Sequence, residues 1–321
     1  MTSNTAQKDV PQQNQEYHGK PMTKGRYLRI QMKKTWKGYV MVAPFLLMFT
    51  AFTIVPVVLS ILLSFTSFNM LEFPEFKGLT NYIQLFLADD LFVTAFTNTM
   101  LFAVTTGPAC FILSFIVAWF INELSPKLRA FVTIIFYAPS IAGTAYMVFG
   151  IFFKGDIYGY VNGWLLQMGL ISQPIAFFKD TAYIVPLCIF VAIWTSLGTT
   201  FLSNIAGLQG VDRSLYEAGA IDGIKNRWQE AWYITLPSMR NILLFGAVMA
   251  ITQAFGFGAI VNALCGNPST DYVAWTLQHH LQEFMGVRFE YGYASAIAVV
   301  LFAIMMIANM LVQKFLAKVG Q

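Results

Sequence analysis

The sequence predicts an all-α, polytopic membrane protein with six transmembrane helices, and three observations support this fold class. Of the 321 residues, 57% are hydrophobic and only 11% are charged, whereas soluble domains carry about 25% charged residues. Six apolar stretches are long enough to cross a bilayer, which requires about 20 mostly apolar residues. Lys and Arg are concentrated in alternate connections between these stretches. Lipid is therefore the expected solvent for most of the chain.

The predicted spans follow a polar N-terminal segment. Residues 1–38 are rich in Gln, Lys and Asn and contain no apolar segment with a small-residue cleavage site, so we expect a basic tail and not a cleaved signal peptide. Residues 1–15 are expected to be disordered and residues 20–37 to lie at the membrane surface. The transmembrane domain, residues 39–316, contains predicted spans at residues 39–65, 97–121, 131–153, 183–205, 242–264 and 293–315.

One further stretch, residues 161–178, is apolar but is interrupted by Asn162, Gln167 and Pro174. These residues are too polar for a position in lipid. The pattern predicts an external amphipathic segment and not a seventh span.

The distribution of basic residues sets the expected orientation, because Lys and Arg near the spans are retained in the cytoplasm. Sixteen of the 20 lie in the two tails, the 2–3 connection and the 4–5 connection, and four lie in the opposite connections. We therefore expect both termini and the loop of residues 207–240 in the cytoplasm.

Apart from Lys314 at the end of the sixth, the six predicted spans contain no Asp, Glu, Lys, Arg or His. Proton- and ion-coupled carriers usually place such groups near the membrane midplane. Their absence argues against a proton-driven carrier and favours an uncharged solute that forms hydrogen bonds. The Ser, Thr, Asn and Gln side chains in the spans could serve such a solute, or could bond to a carbonyl one turn back or to a neighbouring helix.

The loop of residues 207–240 predicts two short helices with a turn at Gly223, which can adopt the positive φ of a helix C-terminus. Ser214 is the expected N-cap of the first helix, with Glu217 as its capping-box partner. The small residues 218–220 give this helix a smooth surface that can seat closely in a groove of another protein. Pro237 suits the first turn of span 5, because its missing N–H is not needed there.

The run Glu217-Ala218-Gly219, followed by Gly223 and by Ile234-x-Leu236-Pro237, is similar to the cytoplasmic signature loop of permeases of bacterial binding-protein-dependent ABC importers. The resemblance covers about residues 39–315 and is closest to the first of the two paired permeases of the maltose and glycerol-3-phosphate type. Shared features elsewhere are Ala43-Pro44-Phe45, Pro56, Leu79-Thr80-Asn81-Tyr82, Asn98-Thr99, Phe136-Tyr137-Ala138-Pro139 and Gly266-Asn267-Pro268.

The resemblance implies a multi-pass subunit of the bacterial cell membrane with four kinds of partner. These are a second homologous permease, two ATPase subunits, an extracellular or periplasmic solute-binding protein and membrane lipid; no nucleic acid is expected. The loop would couple to the ATPase through Glu217, Ala218, Gly219, Asp222 and Gly223, with Glu217 pairing with a basic group or acting only as a capping carboxylate.

Two departures from the family pattern occur in this loop. The family usually has Ala at the position of Gly219. Ten residues separate Gly223 from Ile234, one more than the family usually has, which affects the register of residues 227–233.

The predicted solute path rests on spacing and on the resemblance. In span 4, Thr195 and Thr199 are one turn apart, with Trp194 and Ser196 beside them. An aromatic ring can stack on a sugar while hydroxyl and amide groups bond to its hydroxyls. The resemblance places sugar contacts at Thr195, Ser196 and Thr199 and in spans 3 and 5. With Trp194, this gives the predicted set Ser140, Thr144, Trp194, Thr195, Ser196, Thr199, Thr252, Gln253 and Gly256. Gln253 is the preferred candidate, because a buried amide needs several partners.

No catalytic or metal site is predicted. The chain has no G-x-x-x-x-G-K-[ST] phosphate loop, so ATP and Mg are expected on the partner ATPase and no cofactor on this chain. Cys110, Cys188 and Cys265 are isolated in apolar stretches and are expected to be packing residues. His279-His280 is expected to contact solvent or a partner, because adjacent side chains on a helix point in different directions.

The sequence is compatible with three function classes. The first is an ABC importer permease for a sugar or oligosaccharide. The second is a secondary carrier or channel, which predicts inverted repeats or intramembrane charges. The third is an anchoring subunit of another membrane complex, which gives the 4–5 loop no role. Within the first class, the identity and length of the sugar are not specified by these residues.

Overall fold

The computed structural model describes residues 16–17, 20–21, 32–33 and 35–316. The predictions for residues 1–15 and for most of the N-terminal tail lie outside the described residues. The chain forms two compact units, Met1–Leu59 and Ser60–Gln321, with the boundary inside the first long helix.

The first unit contains two short strands and most of helix α1. Strands β1, Glu16–Tyr17, and β2, Lys20–Pro21, pair antiparallel. Helix α1 covers Trp36–Leu63 and has a π-helical turn at Thr50–Ile54. None of its residues is buried, and an apolar helix with most of its surface exposed is suited to lipid or to a partner helix.

The second unit is built from helices. They are α2 (Thr80–Leu87), α3 (Asp90–Asn122), α4 (Pro126–Ile141), α5 (Met147–Phe152), α6 (Tyr160–Gln167), α7 (Thr181–Thr195), α8 (Thr199–Gln209), α9 (Arg213–Ile221), α10 (Arg227–Ser238), α11 (Arg240–Ala254), α12 (Gly258–Cys265), α13 (Leu277–Gly286) and α14 (Tyr291–Leu316). A single 3₁₀ turn, Thr270–Tyr272, lies between α12 and α13. Because the only strands in the described part of the chain are β1 and β2, the all-α class is confirmed.

Three helices are long and apolar enough to cross a membrane by themselves. They are α1 with 28 residues, α3 with 33 and α14 with 26. Two bent pairs also reach the required length, α7 with α8 at 41° and α10 with α11 at 84°. The chain is therefore a helical membrane protein, while the count of six spans stays a prediction.

Predicted spans 3, 4 and 5 are not continuous helices, which corrects the sequence prediction. Non-helical backbone at residues 142–146, 196–198 and 255–257 separates α4 from α5, α7 from α8 and α11 from α12. Broken helices at membrane depth are stable only where protein or a cavity, and not lipid, surrounds the freed backbone groups. The three breaks therefore indicate a polar region inside the bundle.

Helix α3 connects the core of the second unit. Its residues Phe92, Ala95, Thr99, Phe102 and Thr106 are buried at alternating spacings of three and four, which places them on one face. One core cluster includes Phe92 with α2, α13 and α14, and a second includes Phe102 with α7, α11 and α12. A third joins Ala118, Trp119 and Ile121 to α8 and α10. At 1.5 Å per residue the helix is about 50 Å long and links all three clusters.

The connection between α12 and α14 buries two histidines, contrary to the prediction that they contact solvent or a partner. His279 is 1% and His280 2% exposed. As adjacent residues on a helix they do point to different partners: His279 Nδ1 accepts from the Thr276 N–H at 3.3 Å, and His280 Nε2 lies 2.8 Å from Asp89 Oδ2. The Tyr293 hydroxyl donates to the same carboxylate at 2.7 Å. These bonds join α13 and α14 to the start of α3.

The residues 161–178 form the short helix α6 and a following loop. Asn162, the polar residue that argued against a span, is fully buried. Its amide donates to the carbonyls of Lys154 and Ile175 at 2.9 Å and accepts from the Ile175 N–H at 3.0 Å. The side chain therefore joins α6 to the loop that follows it and to the chain just after α5.

Burial makes the fold sensitive to acid at His279, because desolvation lowers the pKa of its imidazole to about 4. In the unfolded chain His279 takes up a proton near its ordinary pKa of about 6.5, whereas in the folded chain it stays neutral at that pH. The free energy of unfolding that this difference contributes is therefore present above about pH 6.5 and is lost as the pH falls toward 4. We expect the thermal midpoint of the purified protein to decrease over this range.

The substitution His279→Gln tests this dependence and keeps a side-chain acceptor at the capping-box position. It should make the decrease of the thermal midpoint shallower. The remaining decrease would come from His280, because burial lowers the pKa of that imidazole as well. An identical pH profile in wild type and His279→Gln would contradict the assignment.

Candidate functional site

The three helix breaks surround one cavity of about 420 Å³, here named the break cavity. Gly143, Gly198 and Gly256 each contribute to its lining from a different break. Six of the nine residues predicted for the solute path line this cavity: Ser140, Thr195, Ser196, Thr199, Gln253 and Gly256. The sequence prediction thus identified residues that the fold brings together from three pairs of helices.

The break in span 4 depends on a close approach of two helices. A Cβ at Gly198 would lie 2.8 Å from the Cβ of Ser140, a distance that side chains do not adopt. Only glycine allows the end of α4 and the α7–α8 break to meet at this point.

The hydroxyl groups of the cavity are largely bonded to nearby carbonyls. Thr195 Oγ1 donates to Val191 at 2.9 Å, Ser196 Oγ to Ile193 at 3.0 Å and Ser140 Oγ to Tyr137 at 2.7 Å. Each hydroxyl oxygen keeps the capacity to accept a hydrogen bond from a ligand. The structural role that the sequence left open is therefore present, and it leaves each hydroxyl oxygen able to accept a further hydrogen bond.

Gln253 differs from these hydroxyl residues. It lines the break cavity and is partly buried, and among the described residues its amide has no hydrogen-bond partner. A free amide offers two donor hydrogens and one acceptor oxygen. Gln253 therefore has the largest unused hydrogen-bonding capacity in the lining.

Thr195 and Thr199 reach the cavity for a different reason from the one predicted. They do not lie one turn apart on one helix, because Thr195 ends α7 and Thr199 begins α8 after a 41° bend. The bend, and not helical periodicity, directs both residues to the cavity.

The remaining three predicted path residues lie outside the cavity lining. Trp194 packs edge-on against Phe149, with ring centroids 4.9 Å apart. Thr252 Oγ1 donates to the Val248 carbonyl at 2.8 Å, and Thr144 Oγ1 lies 3.3 Å from the carbonyl of Ala142.

Aromatic surface in the cavity comes from residues that the sequence analysis did not select for the solute path. Tyr137, Tyr146 and Phe257 contribute to the lining. Tyr137 belongs to the shared motif of residues 136–139. Its position near Pro139, at the end of α4, is the sequence signal that could have placed it in the cavity. The described lining contains hydroxyls, an amide and aromatic rings but no charged side chain, a composition suited to a neutral polyol.

The α8–α11 connection contains the predicted pair of short helices, α9 and α10. Asp212, and not Ser214, caps α9: its carboxylate accepts the Ser214 N–H at 3.0 Å, which lowers the pKa of Asp212. Glu217 therefore lies in the middle of α9 and not at a capping-box position. Its side chain is exposed, and within the described residues its carboxylate has no hydrogen-bond or ion-pair partner.

The turn at Gly223 is confirmed, with φ of +92°. The Ile224 N–H donates to the Gly219 carbonyl at 2.9 Å and the Gly223 N–H to the Ala220 carbonyl at 3.3 Å, which is the Schellman pattern of helix termination. Asp222 is exposed beside the turn.

Gly219 is the inward-facing member of the predicted coupling set. A Cβ there would lie 2.6 Å from Ile234 Cδ1, so the absence of a side chain lets α9 pack closely on α10. Ala218 and Glu217 are exposed on the outer surface of α9. The departure from Ala at Gly219 is thus explained by internal packing.

The segment with the additional residue, between Gly223 and Ile234, runs into helix α10. That helix contains a π-helical turn at Ala231–Thr235, and such a turn accommodates one extra residue in an α-helix. Pro237 lies near the end of α10 and not in the first turn of span 5, because the chain bends by 84° at Met239 before α11 begins.

No cluster of three or more His, Cys, Asp or Glu arranged for a metal ion occurs in the described part of the chain. Cys188 and Cys265 have their sulfur atoms 3.6 Å apart, and both pack with the core around Phe102. Cys110 is buried beside Ser196.

Known proteins resemble the chain over most of its length, although no protein-family model matches it. The probable ABC transporter permease YesP of Bacillus subtilis (strain 168) is 29% identical over 299 residues, covering 91% of this chain and 93% of that protein. The lactose transport system permease LacF of Rhizobium radiobacter is 32% identical over 217 residues, covering 66% of this chain and 70% of that protein.

A solved structure shares the fold. One chain of a bacterial ABC transporter that imports the acidic polysaccharide alginate matches with a TM-score of 0.76 at 22% identity, over 92% of this chain and 100% of that chain. Together with the identity to LacF over 70% of its length, these comparisons show that the chain belongs to the sugar-transport permeases of ABC importers.

Proposed function

We propose that this permease is one of two homologous membrane subunits that together form the translocation path of an ATP-driven importer for a neutral sugar or oligosaccharide. It would span the bacterial inner or plasma membrane six times, with α4–α5, α7–α8 and α11–α12 as interrupted spans and both termini in the cytoplasm. The basic residues of the tails and of the α8–α11 connection support this orientation.

The observation that carries the proposal is the convergence of three helix breaks on one cavity. Transporters form substrate sites from discontinuous helices, because unwound backbone is tolerated in a membrane where it lines a cavity. The break cavity adds a free amide at Gln253, hydroxyl oxygens and tyrosine rings without a charged group in its described lining. This chemistry favours a neutral carbohydrate over the acidic polysaccharide that the structurally similar transporter imports.

The α8–α11 connection is the proposed coupling loop. A separate ATPase subunit would contact the exposed residues Glu217 and Ala218 of α9 and Asp222 at its C-terminus. Gly219 would let α9 pack closely on α10, and Gly223 would end the helix. ATP and Mg would bind that partner. A solute-binding protein would deliver sugar at the opposite face, in line with the similar alginate transporter that forms a complex with a periplasmic protein.

Reconstitution tests this assignment against a secondary carrier, a channel or a passive anchor. The purified chain is placed in lipid vesicles with the second permease, the ATPase and the binding protein, and uptake of labelled lactose, arabinotriose and an alginate trisaccharide is measured. We expect ATP-dependent uptake of a neutral sugar that disappears when any one component is omitted. Uptake by this chain alone, or preference for the acidic trisaccharide, would contradict the proposal.

A further inference from the structure

The cytoplasmic end of α3 contacts α10 through two side-chain pairs. Arg227 donates to Glu123 Oε2 at 2.8 Å, and its other terminal nitrogen donates to Glu230 Oε2 at 2.7 Å. The ring of Trp228 packs on that of Trp119, with centroids 5.0 Å apart. We name the Glu123–Arg227 and Trp119–Trp228 pairs the α3–α10 clasp.

Helix α10 is also held against α9, the proposed ATPase-docking helix. Ile234 occupies the space left by the missing side chain of Gly219. The hydroxyls of Tyr216 and Thr235 form a hydrogen bond of 2.9 Å. Because of these contacts, α9 and α10 should move as one unit.

Helix α3 is suited to carry such a movement across the membrane. It runs for 33 residues without a break, whereas the three helix pairs around the break cavity are interrupted and can bend at their breaks. At its far end Asp89 caps α3 and bonds to His280 and Tyr293. A displacement at residue 123 would therefore reach the opposite face through one continuous helix, which includes Pro108.

We propose that Arg227 is a positioning residue that joins the α9–α10 unit to α3, so that movement of α9 is delivered to α3 as well as to α11. This inference rests on the proposed coupling role of α9. Arg227 is 61% and Glu123 44% exposed, and exposed ion pairs contribute little to stability. Loss of the pair should therefore change coupling and not folding.

The test is a double-mutant cycle in the reconstituted complete transporter. Arg227→Ala and Glu123→Ala should each raise the number of ATP molecules hydrolysed per sugar imported about two- to fivefold, the size of effect that loss of one exposed ion pair gives. Complex yield and thermal midpoint should stay unchanged. Both changes remove the Glu123–Arg227 pair, and Arg227→Ala also removes the bond to Glu230, so the double variant should match Arg227→Ala. Lys127→Ala, at an exposed basic residue in the first turn of α4, is the control and should retain the wild-type ratio.

Glu123 lies outside the coupling loop, which makes the outcomes distinguishable. An effect of Arg227→Ala without one of Glu123→Ala would mean that Arg227 acts through Glu230 or on the ATPase and not through α3, and would overturn the inference. Normal coupling in both variants, with uncoupling by Glu217→Ala, would overturn the clasp and leave the proposed function intact. Normal coupling in all three would instead reject the coupling role of α9. Loss of complex yield in both clasp variants would assign the pair a folding role and would also overturn the inference.

Discussion

Replacing Gln253 with leucine is expected to lower sugar uptake about tenfold while complex assembly and basal ATP hydrolysis stay unchanged. The amide lines the break cavity and has no hydrogen-bond partner among the described residues, so the substitution breaks no bond within the described part of the protein. It removes one or two hydrogen bonds to the solute, each of about 1 kcal/mol. Initial uptake rates at subsaturating sugar in reconstituted vesicles measure this effect.

The matched control is Gln313→Leu, the same change at an exposed position of α14 outside the break cavity. It should leave uptake unchanged. Thr199→Val, which removes a cavity hydroxyl with no bonded partner among the described residues, should give a smaller decrease than Gln253→Leu. Unchanged uptake in both Gln253→Leu and Thr199→Val would mean that the sugar contacts the partner permease instead.

Hydropathy predicted the long apolar helices well, because their length is set by the thickness of the bilayer. The predicted span of residues 293–315 corresponds to Tyr291–Leu316. Helix α3 begins earlier than predicted, at Asp90, because Asp89 caps it and Phe92 and Ala95 belong to a core cluster with α2, α13 and α14. That capping bond and those contacts are tertiary features which a count of apolar residues does not contain.

The helix breaks were not predicted, and their residues explain why. Leu197, Ala142 and Phe255 are apolar and therefore continue the hydropathy pattern of a span. The break at Gly198 follows from its approach to Ser140, a contact between segments far apart in sequence. The chemistry of the cavity was nevertheless predicted in part, because uncharged spans that contain Thr and Gln favour a neutral ligand whether or not the helix is continuous.

Local capping was predicted only where one residue had a unique property. Gly223 is favoured at a positive φ, so the turn after α9 followed from the sequence. Asp212 and Ser214 are both good N-caps, and the choice between them depends on where the preceding helix α8 ends. The burial of His280 likewise depends on Asp89, 191 positions earlier in the chain.

Replacing Gly223 with proline is expected to abolish sugar uptake while ATP hydrolysis continues, because it disrupts the end of the proposed docking helix. Gly223 has φ of +92°, whereas proline fixes φ near −65°. Proline also removes the N–H that donates to the Ala220 carbonyl. The chain after α9 would then leave in another direction, and Ile234 would no longer pack at Gly219.

Gly223→Asn is the matched control, since asparagine tolerates a left-handed backbone better than other residues with a side chain. It should retain most of the uptake, while Gly223→Ala should be intermediate. The turn is exposed, and a Cβ there meets no atom within 4 Å, so the order Asn, Ala, Pro reports backbone conformation and not steric contact. ATP hydrolysis and uptake are measured together in vesicles containing the complete transporter. Wild-type uptake and substrate-stimulated hydrolysis in the proline variant would show that α9 does not carry the coupling, because its C-terminal geometry would then be irrelevant to transport.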